Sequence, residues 1–294
     1  MAAIERTTGT PQPIGYIRSP LGVVGSVLRW VALILATLLF LIPFYLVLRN
    51  ALSTEADITG VDWKFFPTDL QWGNIKELFD DENVPMARAL YNSAVIGILG
   101  TGGQLLLASM AGYGLARIPY KHADKVFYAV MATLMIPAAV SFIPSFIVVS
   151  SLGWVSTLRG MIIPTLFSGF AAFLFRQYFL GFPKELEEAA RVDGAGYFTT
   201  FWRIVVPNSL PFFAAIAAIT FIGNWNSFIW PLVIGQDEKS WTVQVAMSTF
   251  ITAQTVNIHQ LFMAAAVSIV PLVLIFAFLQ RYLIQGVTQS GIKD

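Results

Sequence analysis

Apolar residues come in long runs along this chain, separated by short polar stretches, and the length of each run decides what it can form. Trp30 to Leu48 carries no charge and is bracketed by Arg29 and Arg49. At about 1.5 Å rise per helical residue, such a run matches a hydrocarbon core about 30 Å thick, so it predicts a first membrane span with Pro43 tolerated as a kink. Asn92 to Ala116 predicts a second, rich in glycine, which lets helices approach closely in lipid. Val126 to Ser150, interrupted by Pro137 and Pro144, predicts a third, and Leu158 to Phe175, closed by Arg176, a fourth. Pro207 to Ile234 is longer than a span needs, which predicts tilt or a break near Asn224 to Asn226. Leu261 to Leu279 completes six. The fold class expected is an all-α membrane protein with six transmembrane helices.

The polar stretches set the boundaries. Residues 1–28 are polar, with Gly, Pro and Thr, and read as a mostly disordered tail without a secretory signal. Residues 29–87 hold the first span and a loop whose acids, Trp63, Phe65, Phe66 and Trp72 lie outside the membrane. A transmembrane domain covers 88–281, with a polar loop at 182–207, and 282–294 is a tail.

The 182–207 loop has the most local detail. Pro183 fits the first position of a helix running to Val192, and Glu185, Glu187 and Glu188 sit at its positive dipole end. Leu186, Ala189 and Ala190 form one narrow face of small residues. Gly194 or Gly196 turns the chain, because glycine tolerates φ > 0. A second helix then carries Phe198, Phe201, Trp202 and Val205 as an apolar stripe, with Arg203 off it, until Pro207 interrupts. An amphipathic helix–turn–helix outside the bilayer is expected. One reading is an interfacial hairpin resting on lipid headgroups.

Composition agrees with a membrane class: 294 residues are 56% hydrophobic and 12% charged, with a mean hydropathy of +0.68. No cysteine is present, so disulfides and thiolate metal sites are excluded. The net charge of +1 says little, but its distribution orients the chain. With both termini, the 117–125 loop and the 182–207 loop on one side, that side holds twelve of the eighteen Lys and Arg. The positive-inside rule then makes it cytoplasmic.

What supplies energy is constrained by absences. Apart from Arg159 at the very start of the fourth, the spans carry no ionisable residue of the kind that proton relays use, although sodium sites built from carbonyls escape this test. No Gly-Lys dipeptide occurs, so there is no phosphate-cradling Walker A loop. No catalytic constellation is visible. His122 and His259 fall on opposite predicted faces of the membrane, so no metal site and no cofactor are expected.

Glu188, Ala189 and Ala190, then Asp193, Gly194 and Ala195, then Ile204 and Pro207 resemble the EAA loop of permease subunits in binding-protein-dependent ABC importers. With Pro183, Leu186 and Pro211 they resemble the carbohydrate branch, the second permease of maltose-type systems. The ending from Gln280, Arg281 and Tyr282 through Gly286, Thr288 and Lys293 is similar to that branch, with Val287, Ser290 and Asp294 departing from it. The resemblance implies a permease-type bundle whose 182–207 loop is a cytoplasmic coupling helix, with Glu188 paired to an arginine of a separate ATPase. It implies as partners two copies of that ATP-binding subunit, a second homologous permease, an extracytoplasmic solute-binding protein touching the 49–88 and 235–260 loops, and a carbohydrate passing through. It implies a multi-pass protein in a prokaryotic cell membrane, no nucleic-acid partner, and a C-terminal tail reaching the ATPase.

Around the fifth span, Asn224, Trp225, Asn226 and Trp230 suggest a substrate path. Amides in lipid-facing hydrocarbon are costly, while amides and planar aromatics suit a polyhydroxylated solute. The alternatives are helix glue for the asparagines and an interfacial belt for Trp230. For the whole chain, the alternatives are an importer of a phosphorylated polyol such as glycerol phosphate, or a stand-alone channel or secondary transporter.

Overall fold

A computed structural model describes the backbone of residues 20–251 and 257–290 and the side chains of 24–251 and 257–282. These residues form helices α1 (Pro20–Ala51), α2 (Glu55–Thr59), α3 (Gly73–Asp80), α4 (Met86–Arg117), α5 (Ala123–Leu134), α6 (Ala138–Ser151), α7 (Leu158–Ile162), α8 (Gly169–Leu180), α9 (Lys184–Val192), α10 (Tyr197–Thr200), α11 (Val206–Asn208), α12 (Leu210–Trp225), α13 (Ile229–Ile234), α14 (Val243–Ser248) and α15 (Ile258–Ser290). No β-strand occurs among the described residues.

The chain divides into a unit ending at Leu46 and a second from Val47 onward. In the first, α1 exposes nearly every side chain from 24 to 44, almost all apolar. A helix apolar all round is suited to the interior of a protein or of a membrane. It starts at Pro20, earlier than the tail boundary at 28 predicts, because Val23, Val24, Val27 and Leu28 extend the apolar run and proline suits a first turn.

In the second unit α4 is the axis, packed against α8 and α12, with α12 packed against α15. Its glycines sit at these crossings. A Cβ at Gly97 would lie 2.7 Å from the Phe221 ring, and one at Gly112 would lie 2.6 Å from the Phe175 Cβ and 2.8 Å from the Arg176 backbone nitrogen. The helices therefore pack at a distance only glycine allows. At the C-terminal end of α4, Tyr113, Phe175, Phe179, Phe182, Phe201 and Val205 share a core. There the Tyr178 and Phe212 rings stack at 4.1 Å and Tyr113 meets Phe179 edge-on at 5.8 Å. At its N-terminal end, Leu78, Met86, Ala89, Phe221, Trp225, Val243 and Met263 share another.

Three helices are long and apolar enough to cross a membrane alone, within 24–51, 86–117 and 258–282, and counting each of three bent pairs as one span gives up to six. The third predicted span is not a continuous rod. α5 and α6 meet at 95°. Pro137 makes that break, since the residue capping α6 is extended at ψ 132°. Pro144 does not break the helix: it lies inside α6, where the Ser145 hydroxyl donates to the Ser141 carbonyl at 2.7 Å. In the fourth, α7 and α8 are bent by 43°. Arg176 does not close it, because its guanidinium lies 4.0 Å from the Phe127 ring centroid and pairs with Asp124 at 2.9 Å, letting α8 run to Leu180. The fifth breaks after Trp225 and resumes at Ile229, where the asparagines predict it. The tail expected over 282–294 is helical through Ser290, and its side chains beyond Tyr282 lie outside the described residues.

Candidate functional site

The loop over 182–207 is built by its caps. Pro183 caps α9, which has Glu185 and Glu187 in its first turn and Arg191 in its last, each matching the helix dipole. Gly194 has φ +84°, the left-handed conformation expected of it. Its N–H donates to the Arg191 carbonyl at 2.9 Å and the Ala195 N–H to the Ala190 carbonyl at 2.9 Å, the paired bonds of a Schellman motif.

The second helix departs from the expected α-helical stripe. Phe201–Val205 is a π turn, closed by the Val206 N–H on the Phe201 carbonyl. Pro207 has no N–H for the Arg203 carbonyl and would crowd it, and the wider turn relieves that. The Asn208 side chain donates to the Ile204 carbonyl at 2.7 Å. The expected stripe is split: Phe201 and Val205 are buried, whereas Phe198 is 66% and Trp202 40% exposed.

Behind the loop stands Arg117, the last residue of α4. Its guanidinium donates to the Phe182 carbonyl. Its Nε lies 3.1 Å from Glu187 Oε1, with the two side chains 6% and 4% exposed, an ion pair by distance without aligned hydrogen-bond geometry. Arg191 Nη2 approaches Glu187 Oε2 at 3.9 Å and its guanidinium covers the Tyr197 ring at 4.5 Å. Burial pushes the Glu187 carboxyl above its ordinary pKa, opposed by Arg117, Arg191 and the Tyr113 hydroxyl. A cavity of about 290 Å³ opens beside the pair, lined by Ala116, Arg117, Lys184, Glu187, Glu188 and Arg191.

The expected site residues therefore divide by face. Glu188, Ala189, Asp193 and Gly194 are exposed, Ala195 and Ile204 half-buried, Pro207 exposed and Ala190 buried. Leu186 and Ala189, expected on a close-packing stripe with Ala190, point outward, while Glu187 points inward with Ala190. Sequence reasoning treated Glu187 as a helix-end charge and missed its pairing. The available signal was its position three residues before Ala190 and four before Arg191, which puts all three on one face.

The second cluster lies where α4 crosses α12. Asn224 Nδ2 donates to Thr101 Oγ1 at 3.2 Å, and Gln104 Nε2 donates to Asn224 Oδ1 at 3.4 Å. Asn226, past the break, accepts from Gln244 Nε2 at 3.1 Å and is exposed. Trp225 does not stand with them. It is 1% exposed, stacked on Phe221 in the core, because its position turns it away from the asparagine on either side. Trp230 is half-buried and meets Phe142 edge-on at 5.6 Å. Thr101 and Gln104 were missed, although they share a helical face with Gly97 and Gly100.

Residues 104–289 match the family described as binding-protein-dependent transport system inner membrane component. Over 259 residues the chain is 31% identical to the arabinooligosaccharides transport system permease protein AraQ of Bacillus subtilis (strain 168), covering 87% of this chain and 92% of that protein. Over 266 residues it is 30% identical to the sn-glycerol-3-phosphate transport system permease protein UgpE of Yersinia enterocolitica serotype O:8 / biotype 1B, covering 88% and 95%. A chain from the crystal structure of a bacterial ABC transporter involved in the import of the acidic polysaccharide alginate matches with a TM-score of 0.76 at 21% identity, covering 90% of this chain and 98% of that one, a likeness of fold. The match covers more than half of the chain and contains the 182–207 loop and Asn224, and this chain belongs to the binding-protein-dependent transport system inner membrane components.

Proposed function

We propose that this chain is a permease subunit of an ATP-driven importer that moves a sugar or oligosaccharide from an extracytoplasmic binding protein into the cytoplasm. Two copies of an ATP-binding subunit hydrolyse ATP, a second homologous permease completes the pore, and this chain performs no covalent chemistry. Both termini and the 182–207 loop face the cytoplasm, on the basic-residue asymmetry.

The observation that carries the reading is the two-sidedness of the 182–207 loop. Its inner face is locked to the bundle through Arg117, Glu187, Phe182 and Phe201, so a push on it is transmitted rather than absorbed. Its outer face leaves Leu186 43%, Val192 88% and Phe198 66% exposed, beside Glu188. Apolar surface ringed by charge is the signature of a protein-docking site. ATP-driven closure of the partner then moves Glu188 to Arg203 as one body and switches the access of the path.

Along that path, Asn224 and Asn226 present amides that suit sugar hydroxyls, Trp225 backs the Asn224 turn, and Trp230 borders it. The arabinooligosaccharide relative favours a carbohydrate. The glycerol-3-phosphate relative favours the second reading, a phosphorylated polyol, but the span interiors supply no cation for a phosphate. The test is binding-protein-dependent uptake and ATP hydrolysis in proteoliposomes with Glu188→Lys. ATP hydrolysis that persists while uptake falls at least tenfold is expected. Full uptake by an assembled Glu188→Lys complex, or uptake without any ATPase chain, overturns the reading.

A further inference from the structure

The segment following α1 folds back onto the last turn of that helix and is tied there twice. Arg49 is 3% exposed. Its Nη2 donates to the carbonyls of Asp57 at 3.1 Å and Lys64 at 2.8 Å, and its guanidinium lies 5.3 Å from the Trp63 ring centroid. The second tie is at the helix end, where Asn74 Nδ2 donates to the carbonyls of Ala51 at 2.9 Å and Ser53 at 3.1 Å, and the Gln71 N–H to that of Leu52 at 2.9 Å. These are carbonyls that a helix terminus otherwise leaves to water. Between the ties, the hydroxyls of Thr54 and Thr68 donate to the Asp57 carboxylate at 2.9 and 3.0 Å. Residues 57–74 are thereby a fixed collar.

Its depth follows from the sequence. Arg49 is the first charge after the uncharged run Trp30 to Leu48, so it marks where hydrocarbon ends and headgroups begin. Both ties act within a turn or so of that mark. Yet the collar is apolar on its outside: Trp63, Phe65, Phe66, Leu70 and Trp72 are all more than half exposed, Phe66 by 69%. Scattered exposed apolar residues are ordinary, but Trp63, Leu70 and Trp72 lie within ten positions on a segment held by these ties, and so form a patch. Rings with an apolar body favour the headgroup layer. The collar's charges, Asp57, Asp62 and Asp69 against Lys64, do not favour an anionic surface, so the rings rather than charge must provide the attraction.

We propose that residues 57–74 lie in the headgroup layer of the leaflet reached by the C-terminal end of α1, with Trp63, Phe65, Phe66, Leu70 and Trp72 inserted among the glycerol and upper acyl groups. The occupant of this face is lipid, rather than the solute-binding protein that the 49–88 loop is expected to meet.

The test is fluorescence quenching in the full chain, assembled and reconstituted into zwitterionic bilayers whose acyl chains carry bromine near either the glycerol or the chain end. Trp63→Phe with Trp72→Phe removes two of the eight tryptophans, so the difference emission isolates them while a ring remains at both places. That emission is expected to lose most of its intensity to bromine near the glycerol, less to bromine at the chain end, and to be unchanged by high salt. Emission quenched by aqueous iodide but by neither bromolipid overturns the proposal. So does shielding that appears only once a solute-binding protein is added, which would assign the face to that protein. Neither result bears on ATP coupling, which the Glu188 variant tests separately.

Discussion

Cutting the tie between α4 and the 182–207 loop tests whether that loop is a rigid lever. Arg117 and Glu187 are 6% and 4% exposed, so solvent screens their pairing little. Removing one member of a buried pair costs about 3–5 kcal/mol, because the other charge stays buried without its partner. The two single variants are not equivalent. Arg117→Met leaves Glu187 with Arg191 at 3.9 Å, a half-solvated guanidinium, and belongs near the lower figure. Glu187→Ala leaves Arg117 with the Phe182 carbonyl alone and belongs near the upper. At about 1.4 kcal/mol per tenfold, Arg117→Met should speed amide exchange over 183–195 by about a hundredfold, read by hydrogen-exchange mass spectrometry on the assembled complex. The double variant Arg117→Met, Glu187→Met should recover most of that protection, since burial already disfavours the Glu187 charge and removing both charges removes the desolvation cost. Exchange unchanged in Arg117→Met, or losses in the double variant equal to the sum of the singles, would refute the bracing argument.

Three further outcomes follow from the same geometry. Burial raises the Glu187 pKa, so the native state holds that proton more tightly than the unfolded chain; stability from this group is complete below the ordinary carboxylate range and is lost as pH rises through the raised value. The thermal-stability advantage of wild type over Glu187→Gln should therefore shrink as pH rises from the ordinary carboxylate range through the raised value, and an advantage that grows would mean the arginines outweigh burial. Gly112→Ala should abolish assembly, because its Cβ would meet the Arg176 backbone at 2.8 Å, whereas Gly114→Ala, with nothing within 4 Å, should assemble normally on a sizing column. Asn224→Ala should lower uptake at least tenfold at unchanged assembly, and normal uptake would leave the Asn224 cluster as helix glue alone.

What was legible in the sequence tracks how local its cause is. Gly194 in the left-handed region and the break after Trp225 each depend on a few neighbouring residues and lie where the sequence puts them, while Pro183 falls one position early, at the cap rather than the first turn. Pro137 and Pro144 look alike in sequence, yet only the first bends the chain: it caps α6 in an extended conformation, whereas the second lies inside that helix. The π turn at Phe201–Val205 was hidden for a related reason: Pro207 announces an interruption but not whether the helix stops or widens.

The division of Glu187 from Glu188 shows where local reading ends. Adjacent residues on a helix differ by about 100° in direction, so two neighbouring glutamates cannot both point at the bundle. The pattern Glu-Glu-Ala-Ala gives the angle but not the zero. The zero is set by Arg117, seventy residues earlier in the chain, whose guanidinium takes the Phe182 carbonyl and Glu187 together and so fixes the rotation of α9 about its own axis. Once that rotation is fixed, Glu188, Leu186 and Val192 must stand outward, and the outer face is as much a product of the buried arginine as of its own residues. A substitution at Arg117 should therefore alter what the loop offers a partner without touching any residue the partner meets.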